Sequence, residues 1–147
     1  MKIGIANDHR GYKLKKFLKN KLEEKGYKVI DYGTDSEESV DYPDYAFILG
    51  EKVVKKEVDY GVAICGSGIG ISIACNKVKG VRCAKVSNKE EAQTTRIDND
   101  SNVVSFGEKT SKQDALDIVE TFITTPFSNL EKHQRRIDKI LKYEEER

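Results

Sequence analysis

Short apolar runs alternate with helix-patterned segments along the whole chain, and this rhythm constrains the fold more than any other feature. Lys2–Ala6, Lys28–Asp31, Tyr60–Cys65, Val81–Val86 and Asn102–Phe106 read as strands. Tyr60–Cys65 is apolar enough to sit centrally in a parallel sheet. Tyr12–Lys25 carries Leu14, Phe17, Leu18 and Leu22 at the spacing of one buried helical face, and Gly26 stops it. Asp35–Tyr42 is polar and reads as a loop. Pro43 then opens a helix to about Lys56, with Ala46, Leu49, Val53 and Val54 inward. Ile69–Lys77 is a short helix behind a glycine-rich turn. Ser87 or Asn88 caps a helix to about Arg96, and Ser87 with Glu90 has capping-box spacing. Thr110 or Ser111 caps Ser111–Phe122. The charged helix Leu130–Glu145, with sparse apolar positions at Ile137, Ile140, Leu141 and Tyr143, suits a protruding or partner-packed element.

Strands joined by helices require right-handed crossovers and a sheet covered on both faces. The expected architecture is a Rossmann-like α/β sandwich, with a five-stranded parallel sheet and an extra C-terminal helix. No internal repeat or linker divides the chain, so its 147 residues read as one domain. Ligands of such folds bind beyond the carboxyl ends of the strands, which directs attention to the residues after the first, third, fourth and fifth.

Composition narrows the partners. With 26 basic and 25 acidic side chains, net charge +1, nothing favours nucleic acid or an anionic membrane. Cys65, Cys75 and Cys83 form no C-x-x-C pair and no secreted disulfide framework, and only His9 and His133 could add imidazole to a metal site. A zinc site is not expected. The N-terminus shows neither a signal peptide nor a membrane span, which makes the cytoplasm the expected compartment.

The strongest local signal is Cys65-Gly66-Ser67-Gly68-Ile69-Gly70, which ends a strand and begins a helix. Its glycines can expose backbone N–H groups to an anion or a developing oxyanion. Cys65 there suits a base or a nucleophile, or is simply a packed cysteine beside a tight turn. The pattern is neither Walker A nor a dinucleotide fingerprint. Asp8 and His9 follow the first strand and suit acid–base work on a polyol, while Asp8 can equally cap the next helix. Tyr42 can close over a ligand or anchor a helix. Asp98, Asn99 and Asp100 have the chemistry of a turn. Lys132 and Arg136, four apart, present two cations on one helical face, suited to a phosphate or to plain solvation. Cys75 and Cys83 read as core residues.

In combination and in order, several segments carry a resemblance. They are Asp8-His9, GYKVIDYGT at 26–34, SVDYPDYA at 39–46, DYGVAICGSGIGISIACNKVKGVR at 59–82, NDSNVVSFGEK at 99–109 and KHQRRI at 132–137. Across essentially its whole length the chain resembles the ribose-5-phosphate isomerase B and galactose-6-phosphate isomerase family. That resemblance implies a doubly wound α/β sandwich and cofactor-free interconversion of phosphorylated aldoses and ketoses. It implies a homodimer, or a further assembly into a tetramer, with active sites at the interface and helix 130–145 close to it. It makes Cys65 the base that moves a proton between C1 and C2; another branch uses a glutamate six residues later, where this chain has Ile71. Ser67 and the amides of Gly66, Gly68, Ile69 and Gly70 would stabilise the enediolate. Asp8, His9, Tyr42 and Asn99 would contact the sugar, and His133 and Arg136 its phosphate. Lys132 and Lys109 stand where arginine is frequent, keeping charge but losing the planar fork. Asp98 stands where many ribose-5-phosphate isomerases of this type carry the histidine assigned to ring opening. Asp98 or His9 could take that role, or the natural sugar could have six carbons, as in galactose 6-phosphate or allose 6-phosphate. Outside this class stand a non-catalytic sugar-phosphate sensor, which would not need the Cys65 thiol, and a flavin or redox module.

Overall fold

Residue size alternates along the two central strands, and this decides how the layers stack. The structure, a computed structural model, describes residues 1–147. In chain order its elements are β1 (Lys2–Asn7), α1 (Tyr12–Glu24), β2 (Lys28–Asp31), α2 (Tyr42–Val54), β3 (Tyr60–Cys65), α3 (Ile69–Cys75), β4 (Cys83–Lys85), α4 (Lys89–Asn99), β5 (Val103–Gly107), α5 (Lys112–Thr124) and α6 (Glu131–Glu145). Ile3 and Ile5 of β1, with Val62 and Ile64 of β3, point to one face. They pack there with Leu14, Leu18 and Leu22 of α1 and Ile118 and Phe122 of α5. The smaller Ala6, Ala63 and Cys65 point to the other face and meet Leu49 and Val53 of α2 and Ile71 and Cys75 of α3. All strands are parallel, in the order β2-β1-β3-β5-β4. The chain leaves β1 toward one edge and β3 toward the other, so a crevice opens beyond the carboxyl ends of these two neighbours.

The expected α/β sandwich with its extra C-terminal helix is the observed architecture. Several boundaries differ. Phe17 is only half-buried, whereas Lys15 is 2% exposed, its ammonium bonded to the Thr34 carbonyl and paired with Asp31. The capping box sits one residue later than Ser87 and Glu90 suggest. Asn88 Oδ1 accepts from the Glu91 amide at 2.9 Å, and Glu91 Oε1 accepts from the Ser87 amide at 2.7 Å. Helix α4 runs beyond Arg96 to Asn99 because Asp100, with φ +46°, takes the turn in place of its neighbours. The Arg96 guanidinium locks that turn through Asp100 Oδ1 and the Ser101 carbonyl, each at 2.7 Å. No helix is long and apolar enough to cross a membrane.

One close approach makes a stability prediction. A Cβ on Gly33 would overlap Asn7 Oδ1 and lie 2.8 Å from the Asn7 backbone nitrogen, and Asn7 is fully buried at the end of β1. Gly33→Ala is therefore expected to destabilise the protein by about 1–3 kcal/mol. A lowered denaturant midpoint at unchanged m would show this, and a wild-type midpoint would contradict it.

Candidate active site

The carboxyl ends of the central strands open into a cleft of about 950 Å³. Asp8, Tyr42, Cys65, Ser67, Gly70 and Lys109 line it among others. β3 ends at Cys65, whose side chain is 4% exposed yet reaches the cleft wall. The chain then turns sharply: Gly68 has φ +79°, and a Cβ there would fall 2.5 Å from the Phe106 carbonyl carbon. Only glycine meets both demands, and the turn it allows carries the loop amides back over the strand end. The Gly68 amide donates to Cys65 Sγ at 3.2 Å, and the Ile69 amide donates to Ser67 Oγ at 3.1 Å. Two amides of the loop are thus engaged inside it. Those of Gly66 and Ser67 have no partner in the chain.

Asp8 follows β1 and is 5% exposed. Its Oδ1 accepts from the amides of Arg10 at 3.0 Å and Gly11 at 3.2 Å, capping the short turn His9–Gly11. Oδ2 makes no bond within the chain, so the capping role leaves one carboxylate oxygen free at the cleft. His9 lies outside the cleft lining, and its Nδ1 accepts from the Val40 amide at 3.2 Å. That bond puts the remaining ring proton on Nε2. Tyr42 opens α2 with its ring against Gly70.

Asp98, Asn99, Lys132, His133 and Arg136 are not brought to this cleft. They gather at the amino ends of the strands, where α4 finishes and α6 packs on it through Ile137. The Asn99 carbonyl accepts from Arg82 Nε at 3.0 Å, just before β4 begins. His133 Nε2 stands 3.4 Å from Asp98 Oδ1. Lys132 and Arg136 are exposed and make no ion pair, in contrast to Arg135, which bonds Glu131 at 2.8 Å. One chain therefore separates the candidate residues into two groups: a thiol–amide cleft at one end of the sheet and a cationic, histidine–carboxylate face at the other.

Sequence reasoning missed both cations Arg10 and Lys85 of the cleft, along with several of its small polar lining residues, and two pairings. Lys85 lines the cleft beside Ser87, and Arg10 lines it while paired with Glu108. Arg10 could have been noticed as the cation next to Asp8-His9, but its partner lies 98 positions away and no spacing rule joins them. The Asp98–His133 contact likewise needs α6 folded back on α4. Of the three cysteines, Cys75 is fully buried. Its thiol is pushed far above the ordinary range by a hydrogen bond with Cys83 and by burial, consistent with a core role.

The model of a family described as Ribose/Galactose Isomerase matches residues 3–140. Escherichia coli ribose-5-phosphate isomerase B is 40% identical over 147 residues, covering 99% of this chain and 98% of its own. Among solved structures, ribose-5-phosphate isomerase B of Clostridium thermocellum superposes with TM-score 0.96 at 45% identity, covering 99% of each chain. The Mycoplasma genitalium ribose-5-phosphate isomerase B, described with bound ribulose 5-phosphate, gives TM-score 0.93 at 39% identity, covering 99% of this chain and 97% of that one.

Proposed function

The chain belongs to the ribose/galactose isomerase family, and from that premise we propose that it interconverts D-ribose 5-phosphate and D-ribulose 5-phosphate through an enediolate, with Cys65 as the base. The observation that carries this reading is the sulfur itself. It ends the central strand at a cleft wall, accepts the Gly68 amide at 3.2 Å and adjoins two unpartnered amides. An open-chain aldose has an acidic proton on the carbon beside its carbonyl. A thiolate can remove it while the carbonyl oxygen takes up negative charge, which preorganised N–H donors stabilise. Hydrogen bonds to ionised acceptors are stronger than to neutral ones, so the donors gain as charge develops. The same sulfur returns the proton to the neighbouring carbon when both lie on one side of a planar enediolate.

Asp8 Oδ2, Tyr42, Ser67 and Lys109 face the sugar in this reading. The phosphate goes to Lys132, His133 and Arg136, with Asn99 beside them. Because those residues lie at the other end of the sheet, a second copy of the chain supplies them and the working unit is a homodimer. The outer faces of α2 and α3 expose Phe47, Ile48, Ile69 and Ile73 beside the cleft, as an interface there needs. Of the two candidates for ring opening, Asp98 and His9, the geometry favours Asp98. Its carboxylate is open to solvent and has an imidazole at 3.4 Å through which a proton can pass, whereas His9 has one ring nitrogen committed to Val40. A soluble cytoplasmic enzyme is the setting this reading implies.

A substrate panel tests the assignment. Ribose 5-phosphate is expected to exceed allose 6-phosphate and galactose 6-phosphate in kcat/KM by about tenfold or more, the discrimination one extra carbon centre commonly allows. A six-carbon sugar at the head of the panel would transfer the activity to that sugar, and no isomerisation of any would leave the sensor reading.

A further inference from the structure

Arg10 crosses the carboxyl end of the sheet. It leaves the turn after β1, where its amide is fixed on Asp8 Oδ1 at 3.0 Å. Its side chain passes over Gly66, just beyond β3, so that Nη1 and Cζ lie 3.2 and 3.3 Å from where a Gly66 Cβ would stand. It ends on Glu108, just beyond β5, to which Nε donates. The Glu108 amide in turn bonds the Gly66 carbonyl at 3.2 Å, tying the far end of the span to the loop it crosses. β1, β3 and β5 are sheet neighbours in that order, so the guanidinium roofs the strand that delivers Cys65.

A surface ion pair usually contributes little, and Arg10 is 55% exposed. This pair differs in where it points. Nε is spent on Glu108, while Nη1 and Nη2 make no hydrogen bond in the chain. A guanidinium held at one edge presents the other as a rigid two-donor fork. The hydrogen bond that Arg10 donates to Glu108, with the charge of that carboxylate, raises the Arg10 pKa further above its ordinary value, so the fork stays charged at any working pH.

We propose that Arg10 is a further catalytic residue, whose free Nη edge donates to the substrate oxygen that gains negative charge as the enediolate forms, and that Glu108 is its positioning residue. This rests on the isomerase reading above. It adds a fixed cation to the amides of Gly66 and Ser67, and it gives a use to a guanidinium anchored across the strand end.

The test measures kcat and KM for ribose 5-phosphate in the wild type and in Arg10→Gln, Arg10→Lys and Glu108→Gln. Arg10→Gln is expected to lower kcat by about 10- to 100-fold, somewhat below the loss of one buried oxyanion donor, with KM within about twofold. Arg10→Lys keeps the charge and should recover part of that loss. Glu108→Gln should lose less than Arg10→Gln, since it loosens the fork without removing it. A wild-type kcat in Arg10→Gln, a loss carried by KM alone, or a lysine variant as poor as the glutamine one would each overturn the proposal. An active wild type with an unaffected Arg10→Gln removes only this inference; a wild type that isomerises no sugar phosphate removes the functional reading beneath it.

Discussion

Cys65→Ala is expected to lower kcat for ribose 5-phosphate by about 10²- to 10⁴-fold, the range typical of a lost general base, while the affinity for the sugar phosphate changes little. The sulfur makes one hydrogen bond, from the Gly68 amide, and its side chain is small, so truncation leaves a modest void beside Ile71 and Ala63 rather than a broken core. The turn that shapes the amide cradle depends on Gly68 and not on the thiol. Binding groups outside the reacting centre therefore keep their places, and calorimetry with ribose 5-phosphate should report a dissociation constant close to wild type. A second readout isolates the proton transfer. In heavy water the wild type should wash deuterium into C1 of ribulose 5-phosphate and C2 of ribose 5-phosphate, and the variant should not. Turnover near wild type in Cys65→Ala would falsify the assignment of the base. Intact binding in a wild-type protein with no turnover at all would favour a sensor instead.

The parts of this site that were legible in the sequence are those fixed by neighbours along the chain. Tyr60–Cys65 is a strand by composition, Gly68 must turn, and Ile69 starts a helix, so the thiol's place at a strand end followed from local rules. Asp8 was legible as both cap and candidate ligand for the same reason. Legibility failed where a second element decides. Val81–Val86 has the composition of a strand, yet β4 pairs only over Cys83–Lys85: it is an edge strand with β5 alone beside it, and the backbone groups of Cys83 are taken by the Asn76 side chain. Asp98 and Asn99 had turn composition, yet the Arg96 clamp on Asp100 and Ser101 keeps them helical and moves the turn one residue on. Arg10–Glu108 and Asp98–His133 are contacts between loops or helices that meet only through the sheet order.

That sheet order also makes the strongest quantitative claim about assembly. Cys65 closes β3 at its carboxyl end, while Asn99 touches Arg82 at the amino end of the neighbouring strands. A six-residue strand at about 3.3 Å per residue separates the two ends by roughly 17 Å. The carbon chain of a pentose phosphate, with single bonds of about 1.5 Å, cannot bridge that gap within one protomer. Two copies related by a twofold axis can present the cleft of one to the α6 face of the other. Cys65→Ala alone is then inactive, and Arg136→Glu alone is poor at low substrate because it reverses the charge meant for the phosphate. Mixed dimers of the two contain one site with both lesions and one with neither. With random pairing half of all dimers are mixed, so the mixture should regain about one quarter of wild-type activity, far above either parent. Subunit exchange followed by assay at substrate concentrations below KM measures this directly. Recovery no greater than the average of the parents would mean that each site is complete within one chain, and that Lys132, His133 and Arg136 bind no phosphate.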